Sequence, residues 1–238
     1  MLVDYVGLFA PLTSKGGWRW DPATHKLSMS NPGEATLTPW SHAPCPIPGM
    51  KERGFDCGLM HMMFGYLFEN KSVPIFCQDC YKVVVGPETL EQVKKISYWQ
   101  HSECAPNGWA CKTGAERRPY TFRRWGAYFY CRGLEEGRER YKAVREWVDE
   151  NLGEDIKVYL KRACTEFEQA LGDSDKWENT ELQEEIEKEF FEEIIDYGGL
   201  LGSQSEIVRH HVWNVWEDWE RTTRDPVTYH EEPEPEGE

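Results

Sequence analysis

The sequence predicts an α+β protein: an N-terminal half of mixed strands and loops with a cysteine-rich metal site, and a C-terminal acidic half of about four helices. Two observations lead to this fold class. Proline, glycine and short alternating runs mark the first half, whereas apolar residues at helical spacing mark the second. The charge divides at the same point: residues 133–238 contain 31 Asp and Glu against 12 Lys and Arg, and residues 1–132 contain 11 against 15.

This charge division predicts three segments. We expect a cysteine-rich and aromatic-rich region over residues 1–132 and an acidic helical region over 133–224. The tail, 225–238, is too polar and too rich in proline to fold alone, so we expect it to be disordered. With 238 residues and 11 tryptophans, the chain is long and aromatic enough to bury a core.

The first half predicts short elements. Residues 1–55 are dense in Pro and Gly and predict short strands and ordered loops. Residues 56–70, DCGLMHMMFGYLFEN, predict a short apolar helix, and residues 74–85, PIFCQDCYKVVV, predict a strand with a turn inside it. GPETLEQVKKI, residues 86–96, predicts a helix with Pro87 at its first position. The alternating aromatic residues over 120–130 predict another strand.

The second half predicts four amphipathic helices. The first ends before Gly153, and the second, with its apolar stripe over 156–171, ends before Gly172. The third begins at Thr180, where Gln183 completes a possible capping box, and the fourth begins near Ser205. Short connections between such helices indicate a bundle or a helical layer against the first half.

A Cys-x2-Cys pair is the clearest chemical signal. Cys77 and Cys80 place two thiolates on one side of a site, and His101 and Cys104 form a second pair at the same spacing. Together they offer the four ligands of a structural zinc site. Under the alternative, Cys77 and Cys80 are ordinary strand residues. A redox disulfide is disfavoured, because the pair precedes a strand and not a helix N-terminus.

Three further cysteines are alternates to that ligand set. Cys111 competes for the fourth place, since it lies in the same predicted loop as Cys104. Cys131 and Cys164 are expected in the core, but if both face Cys77 and Cys80, four thiolates would suit an iron–sulfur cluster as readily as zinc. Reactive-thiol chemistry at Cys57 with His61 is conceivable at i, i+4 spacing, although no third orienting group is evident.

A basic, aromatic segment is the candidate nucleic-acid interface. Its arginines would contact phosphates and its aromatic rings would stack on bases. The alternative is that the aromatic residues fill a sheet core and the arginines pair with the acidic helices. The candidate residues are Arg117, Arg118, Arg123, Arg124 and Trp125.

We therefore expect a metal-stabilised recognition protein that binds a protein partner through its acidic helical surface, or nucleic acid through residues 117–125. The alternative is an iron–sulfur redox protein or a metalloenzyme with cysteine ligands. The sequence contains no P-loop, no His-Glu-x-x-His, no Gly-x-Ser-x-Gly and no dinucleotide glycine fingerprint, which lowers the expectation of an enzyme without removing it. No apolar run reaches membrane-spanning length and the first residues do not resemble a signal peptide, so we expect a soluble, cytoplasmic protein without membrane contact.

Overall fold

The computed structural model describes residues 7, 9–10, 13–14, 18–29, 40–43, 57–118, 120–121, 123–196 and 204–223. The described elements include eight strands, seven α-helices and a 3-10 helix over Ser174–Lys176. The strands are β1 (Trp18–Asp21), β2 (Lys26–Met29), β3 (Trp40–Ala43), β4 (Cys80–Gly86), β5 (Cys111–Ala115), β6 (Trp125–Arg132), β7 (Lys157–Arg162) and β8 (Ile195–Asp196). The helices are α1 (Cys57–Met62), α2 (Ile75–Gln78), α3 (Leu90–Trp99), α4 (Gly133–Asn151), α5 (Thr165–Leu171), α6 (Glu181–Glu189) and α7 (Glu206–Thr223). Helices α1, α3 and α6 each continue into a π-helical turn, over Met63–Leu67, Gln100–Cys104 and Phe190–Ile194.

The larger sheet has five antiparallel strands in the order β3-β5-β6-β4-β7. The path β4-α3-β5-β6-α4-β7 is the split β-α-β topology of ferredoxin-like folds, with β3 added at one edge. A smaller sheet has the order β1-β2-β8, in which β1 and β2 are antiparallel and β2 and β8 are parallel.

Strand alternation gives the larger sheet two different faces. One face, which we call the helix face, is apolar because Val83, Val85 and Phe129 pack with residues of α3 and α4. Trp99 of α3 and Trp147 of α4 stack at 4.1 Å between ring centroids, which joins the two helices. The opposite face, which we call the cavity face, carries tyrosine and lysine side chains and lines the site described below.

Two other clusters complete the packing. Helices α1, α2 and α5 and the π-helical turn after α6 pack with β2 around Leu59, Met63 and Phe167. Helix α7 packs on α3 and on the ends of β5 and β6, where Trp216 meets Trp125 at 6.3 Å between ring centroids. The cavity face is therefore bordered by the first of these clusters.

Local signals explain where the helices begin and end. Thr89 caps α3, because its hydroxyl accepts from the Gln92 N–H and the Gln92 side chain accepts from the Thr89 N–H. Thr180 caps α6 in the predicted place by accepting from the Gln183 N–H. Helix α5 ends at Leu171 because Gly172 adopts φ +80°, which other residues rarely tolerate.

Several elements differ from the expectation. Cys77 lies in the short helix α2, and only Cys80 begins the strand. Pro87 precedes α3, which begins at Leu90. The predicted second helix of the acidic half is the strand β7 followed by α5, because Val158 and Leu160 point to the helix face while Tyr159 and Lys161 point to the cavity face.

The α+β class is confirmed, and four of the helices follow residue 132 as expected. The larger sheet nevertheless continues across residue 132, because β7 pairs along β4 and α4 packs on the same sheet. The predicted tail, 225–238, lies outside the described residues. Among the described helices, none has both the length and the apolar character needed to cross a membrane.

Candidate functional site

A cavity of about 240 Å³ opens on the cavity face of the larger sheet. The sheet forms its floor, since Lys82 of β4, Lys112 of β5 and the tyrosines 128 and 130 of β6 all line it. Helix α1 and the β7–α5 junction form its wall and contribute Cys57, His61, Cys164 and Glu166.

Three side chains of different chemistry converge on this wall. One ligand atom from each of His61, Cys164 and Glu166 lies within 4.8 Å of the other two. The ring of His61 is stacked on Phe167 at 4.8 Å between centroids, which orients it toward the cavity wall. Ala163, directly before Cys164, is buried and has φ +49°, a costly conformation for a residue with a Cβ. The turn that delivers Cys164 is therefore strained.

Glu166 has one engaged oxygen and one free oxygen. Its Oε1 accepts a short hydrogen bond from the Tyr120 hydroxyl and lies 3.7 Å from Nη1 of Arg118. Its Oε2 is buried and has no hydrogen-bond partner among the described residues. A buried carboxylate oxygen without a partner is costly, so this atom is suited to a ligand that the structure does not contain.

Cys57 and Cys164 are in hydrogen-bonding contact. The contact with Cys57, the ammonium group of Lys82 and a hydrogen bond with His61 hold the pKa of Cys164 well below its ordinary value. The same contact with Cys164, together with burial, raises the pKa of Cys57. Lys82 Nζ lies 3.6 Å from Cys164 Sγ. The position of Lys82 therefore favours the thiolate at Cys164 over Cys57.

A carboxylate–guanidinium–phenol network forms another part of the cavity lining. Arg118 donates to both oxygens of Glu116 and, at 2.8 Å, to the Tyr128 hydroxyl, which itself donates to Glu116 at 2.7 Å. Burial opposes ionisation of Glu116, but the hydrogen bonds from Arg118 and Tyr128 outweigh it and lower the pKa of Glu116. Burial and the Glu116 charge raise the pKa of Tyr128. This network is already satisfied within the protein.

The predicted zinc ligands lie in different parts of the fold. Cys77 belongs to the cluster of α1 and α5, Cys80 lies on the cavity face, and Cys104 lies on the helix face. His101 Nε2 is 2.8 Å from the Ser41 hydroxyl. Among the described residues, these four side chains form no group with converging ligand atoms. The sheet lies between Cys104 and the other two cysteines, so the structural zinc site remains a prediction that this geometry does not support.

Of the three alternates, only Cys164 lines the cavity. Cys111 and Cys131 are buried on the helix face, and Cys111 contacts Cys104 there. Burial raises the pKa of Cys131 to about 12, as expected of a core thiol. Because Cys131 and Cys80 are on opposite faces, the four-thiolate set considered for an iron–sulfur cluster does not converge. None of the described cysteines forms a disulfide.

The arginine–aromatic segment is largely engaged within the protein. Arg118 is held by Glu116, and Arg124 pairs with Glu220 of α7 at 3.0 Å. Arg117 lies over the Trp219 ring and Arg123 over the Tyr159 ring, each at 4.9 Å from the ring centroid. Trp125 is completely buried, so its ring is unavailable for stacking on a base. Docking of a protein partner on the acidic helices remains a prediction from charge alone.

The sequence pointed to only part of this site. The sequence indicates Cys164 as an alternate ligand and His61 as a partner of Cys57, and it carries no motif at Glu166, Lys82 or Lys112. The spacing Cys164-x-Glu166 was the available local signal, but short spacings of this kind are common. Comparison with protein-family models, with curated proteins and with solved structures finds no match to this chain.

Proposed function

We propose that this protein is a zinc-dependent enzyme of the hydrolytic class, with zinc held by His61, Cys164 and Glu166. The observation that carries the proposal is the convergence of these three ligand atoms beside a cavity. Imidazole, thiolate and carboxylate are the three usual zinc ligands of proteins. The buried, unpartnered Oε2 of Glu166 fits a metal ligand. Three protein ligands leave a fourth position open, as in catalytic zinc sites and unlike structural ones.

The surrounding residues are suited to hold such a ligand set. Tyr120 and Arg118 orient the Glu166 carboxylate through Oε1, and Phe167 orients the His61 ring. When bound, zinc supplies Lewis acidity and acidifies a bound water. Hydrolysis is the reaction class that needs only water as co-reactant: the hydroxyl goes to the electrophilic centre, and a proton goes to the leaving group. Lys82 lies beside Cys164, and its positive charge favours the negative charge that develops on a substrate next to the proposed zinc site.

Zinc titration of the full-length, chelator-treated protein tests the metal site. We expect one zinc per chain in the wild type and a loss of affinity of more than about 100-fold in His61→Ala and Glu166→Gln, since even second-shell changes cost roughly 10- to 100-fold. Cobalt in place of zinc should show thiolate charge-transfer absorption that Cys164→Ser removes. Screening chromogenic esters and phosphoesters should then reveal hydrolysis that a chelator abolishes and zinc restores.

Two controls make the metal test specific. Cys131→Ser removes a buried thiol of the helix face and should leave zinc binding unchanged. The double variant Cys77→Ser/Cys80→Ser should also keep its zinc. Loss of zinc in that double variant, with retention in His61→Ala and Glu166→Gln, would contradict our proposal and favour the Cys77/Cys80 site. A zinc-loaded protein that hydrolyses none of the substrates would contradict the reaction class.

A second candidate function uses the same residues without a metal. Cys164 contacts His61 and lies 3.6 Å from Lys82 Nζ, with the Glu166 carboxylate near both the thiol and the imidazole. This is the arrangement of a nucleophilic thiol, a base and an orienting carboxylate. This second function predicts that the purified protein contains no metal. It also predicts that iodoacetamide alkylates Cys164 faster than the other cysteines. Zinc at one equivalent that blocks this alkylation would favour the metal site.

A further inference from the structure

Two lysines enter the cavity from either side of the same strand. Lys82 of β4 is opposite Tyr130 of β6, and Lys112 of β5 is opposite Tyr128 of β6. Because the two tyrosines are two residues apart, they share one face of the sheet, and the lysines paired with them share it too. The ammonium groups lie 5.8 Å and 5.3 Å from the centroid of the Tyr128 ring.

Neither of these lysines has a carboxylate partner. Within the described part of the chain, no Asp or Glu oxygen lies within 4.0 Å of Lys82 Nζ or Lys112 Nζ. Lys112 Nζ is held over the Trp40 ring at 4.6 Å, and Lys82 Nζ faces the Cys164 thiol. Two other cations of this face have carboxylate partners, since Lys161 pairs with Glu168 and Arg118 with Glu116.

The missing counter-charges are unexpected in this protein. The chain has a net charge of −15, so carboxylates are plentiful, yet among the described residues none lies within 4.0 Å of these two ammonium groups, although Glu116 and Glu166 line the same cavity. Lys82 has the Cys164 thiol as its partner, whereas Lys112 lies beside the Trp40 and Tyr128 rings, and an ammonium group buried without a counter-charge is costly. Burial lowers the pKa of Lys112, and the charge of Lys82 lowers it further. A cavity of about 240 Å³ lies between the two lysines and the wall that carries His61.

We propose that Lys82 and Lys112 form an anion subsite that takes the phosphate group of a small organic phosphate. This assignment rests on the proposed function, because it gives that reaction its substrate class: the phosphate between the lysines, with the scissile bond toward His61, Cys164 and Glu166. Lysine binds phosphate as a compact point charge, and two ammonium groups match a dianion. The cavity accommodates a phosphate group together with a small organic moiety.

Titration of metal-free, full-length protein with inorganic phosphate at constant ionic strength tests the subsite separately from zinc. We expect saturable phosphate binding by calorimetry and a rise in the unfolding temperature, because a ligand that binds only the folded state stabilises it. Lys112→Gln and Lys82→Met should each weaken binding at least tenfold, and Lys112→Arg should retain it. Lys142→Gln, an exposed substitution on α4, is the matched control.

Stability distinguishes an anion site from a structural role of the lysines. Without phosphate, Lys112→Gln should unfold at the same or a higher temperature than wild type, because an uncompensated buried charge is gone, and phosphate should no longer stabilise either Lys112→Gln or Lys82→Met. Absence of saturable phosphate binding to wild type would overturn the subsite even if zinc binds as proposed. So would phosphate binding to both lysine variants with the affinity of wild type. Acetate binding as tightly as phosphate would overturn the assignment to phosphate.

Discussion

Glu116 balances the positive charge that Arg118 brings to the cavity. Its side chain is only 2% exposed, and its two oxygens accept from Arg118 and from the Tyr128 hydroxyl. Arg118 also lies beside Oε1 of Glu166, so the charge of Glu116 affects this candidate metal ligand through Arg118. Removing one partner of a buried pair leaves the other partner's charge uncompensated.

We therefore expect Glu116→Ala to lower the free energy of unfolding by about 2–3 kcal/mol, which is less than for a fully buried pair because Arg118 is 30% exposed. Urea unfolding monitored by tryptophan fluorescence measures the change. Glu69→Ala, which removes an exposed ion pair with Lys71, is the control and should change the free energy of unfolding much less than Glu116→Ala. Equal effects of the two substitutions would refute the role of Glu116.

Among the elements, helix α3 depends on its N-terminal cap. Thr89 and Gln92 form a complete capping box that satisfies two backbone N–H groups. The same helix contributes Ile96 and Trp99 to the helix-face core and Val93 to the packing against α7. A weaker start to α3 therefore reduces the stability of the whole sheet layer.

We expect Thr89→Ala to lower the free energy of unfolding by about 1 kcal/mol, because an orphan N–H loses its acceptor. Thr89→Ser keeps the hydroxyl and should restore most of that loss. Chemical unfolding of the two variants beside wild type is the measurement. A serine variant as unstable as the alanine variant would show that the methyl packing, and not the cap, matters at this position.

Caps and helix ends were the elements best predicted from the sequence. Helix boundaries lie at Thr180, Gly153 and Gly172 because of interactions with residues close in the chain. The neighbouring sequence is therefore enough to predict these helix ends. Strand β7 was missed because apolar residues 156–171 fit a helical stripe as well as a strand followed by a helix. The strand forms because it pairs with β4, about 75 residues earlier in the chain. A local sequence pattern contains no information on this long-range pairing.

The candidate site was hard to predict for the same reason. His61 comes from α1 and Cys164 from the β7–α5 junction, and they meet because β7 lies along β4. Lys82 and Lys112 lie on the cavity face because of the strand register. The alternation of side chains along a strand is regular, but the sequence does not reveal which of the two faces lines the cavity. Residue chemistry thus indicated metal binding by cysteine, but topology selects which cysteine is available.

At the scale of the whole molecule, two half-buried histidines, His42 and His101, couple stability to pH. Burial and the nearby charge of Lys112 lower the pKa of His42 to about 4, and burial with the charge of Arg209 lowers that of His101 to about 4. His42 and His101 also repel each other when charged. The unfolded chain binds protons on both near pH 6.5, whereas the folded protein does not.

The contribution of these two histidines to the free energy of unfolding is therefore fully present above pH 6.5. It should fall as the pH drops from 6.5 toward 4 and then become constant. We expect a loss of about 2 kcal/mol per histidine, since a full unit of pKa shift is worth about 1.4 kcal/mol and both rings are partly exposed. Urea unfolding at several pH values measures the slope. The double variant His42→Gln/His101→Gln should flatten it, and an unchanged slope would contradict this account.

The strand order also has a consequence for synthesis of the protein. Strand β4, residues 80–86, leaves the ribosome early but has β6 and β7 as its neighbours, and β7 ends only at Arg162. The nascent chain therefore carries an apolar strand with both edges unpaired while the following segments are translated, which takes several seconds at about 5–20 residues per second. A fragment that stops at residue 132 lacks one neighbour of β4 and the helix α4 that covers its apolar face, so we expect such a fragment to aggregate when expressed alone.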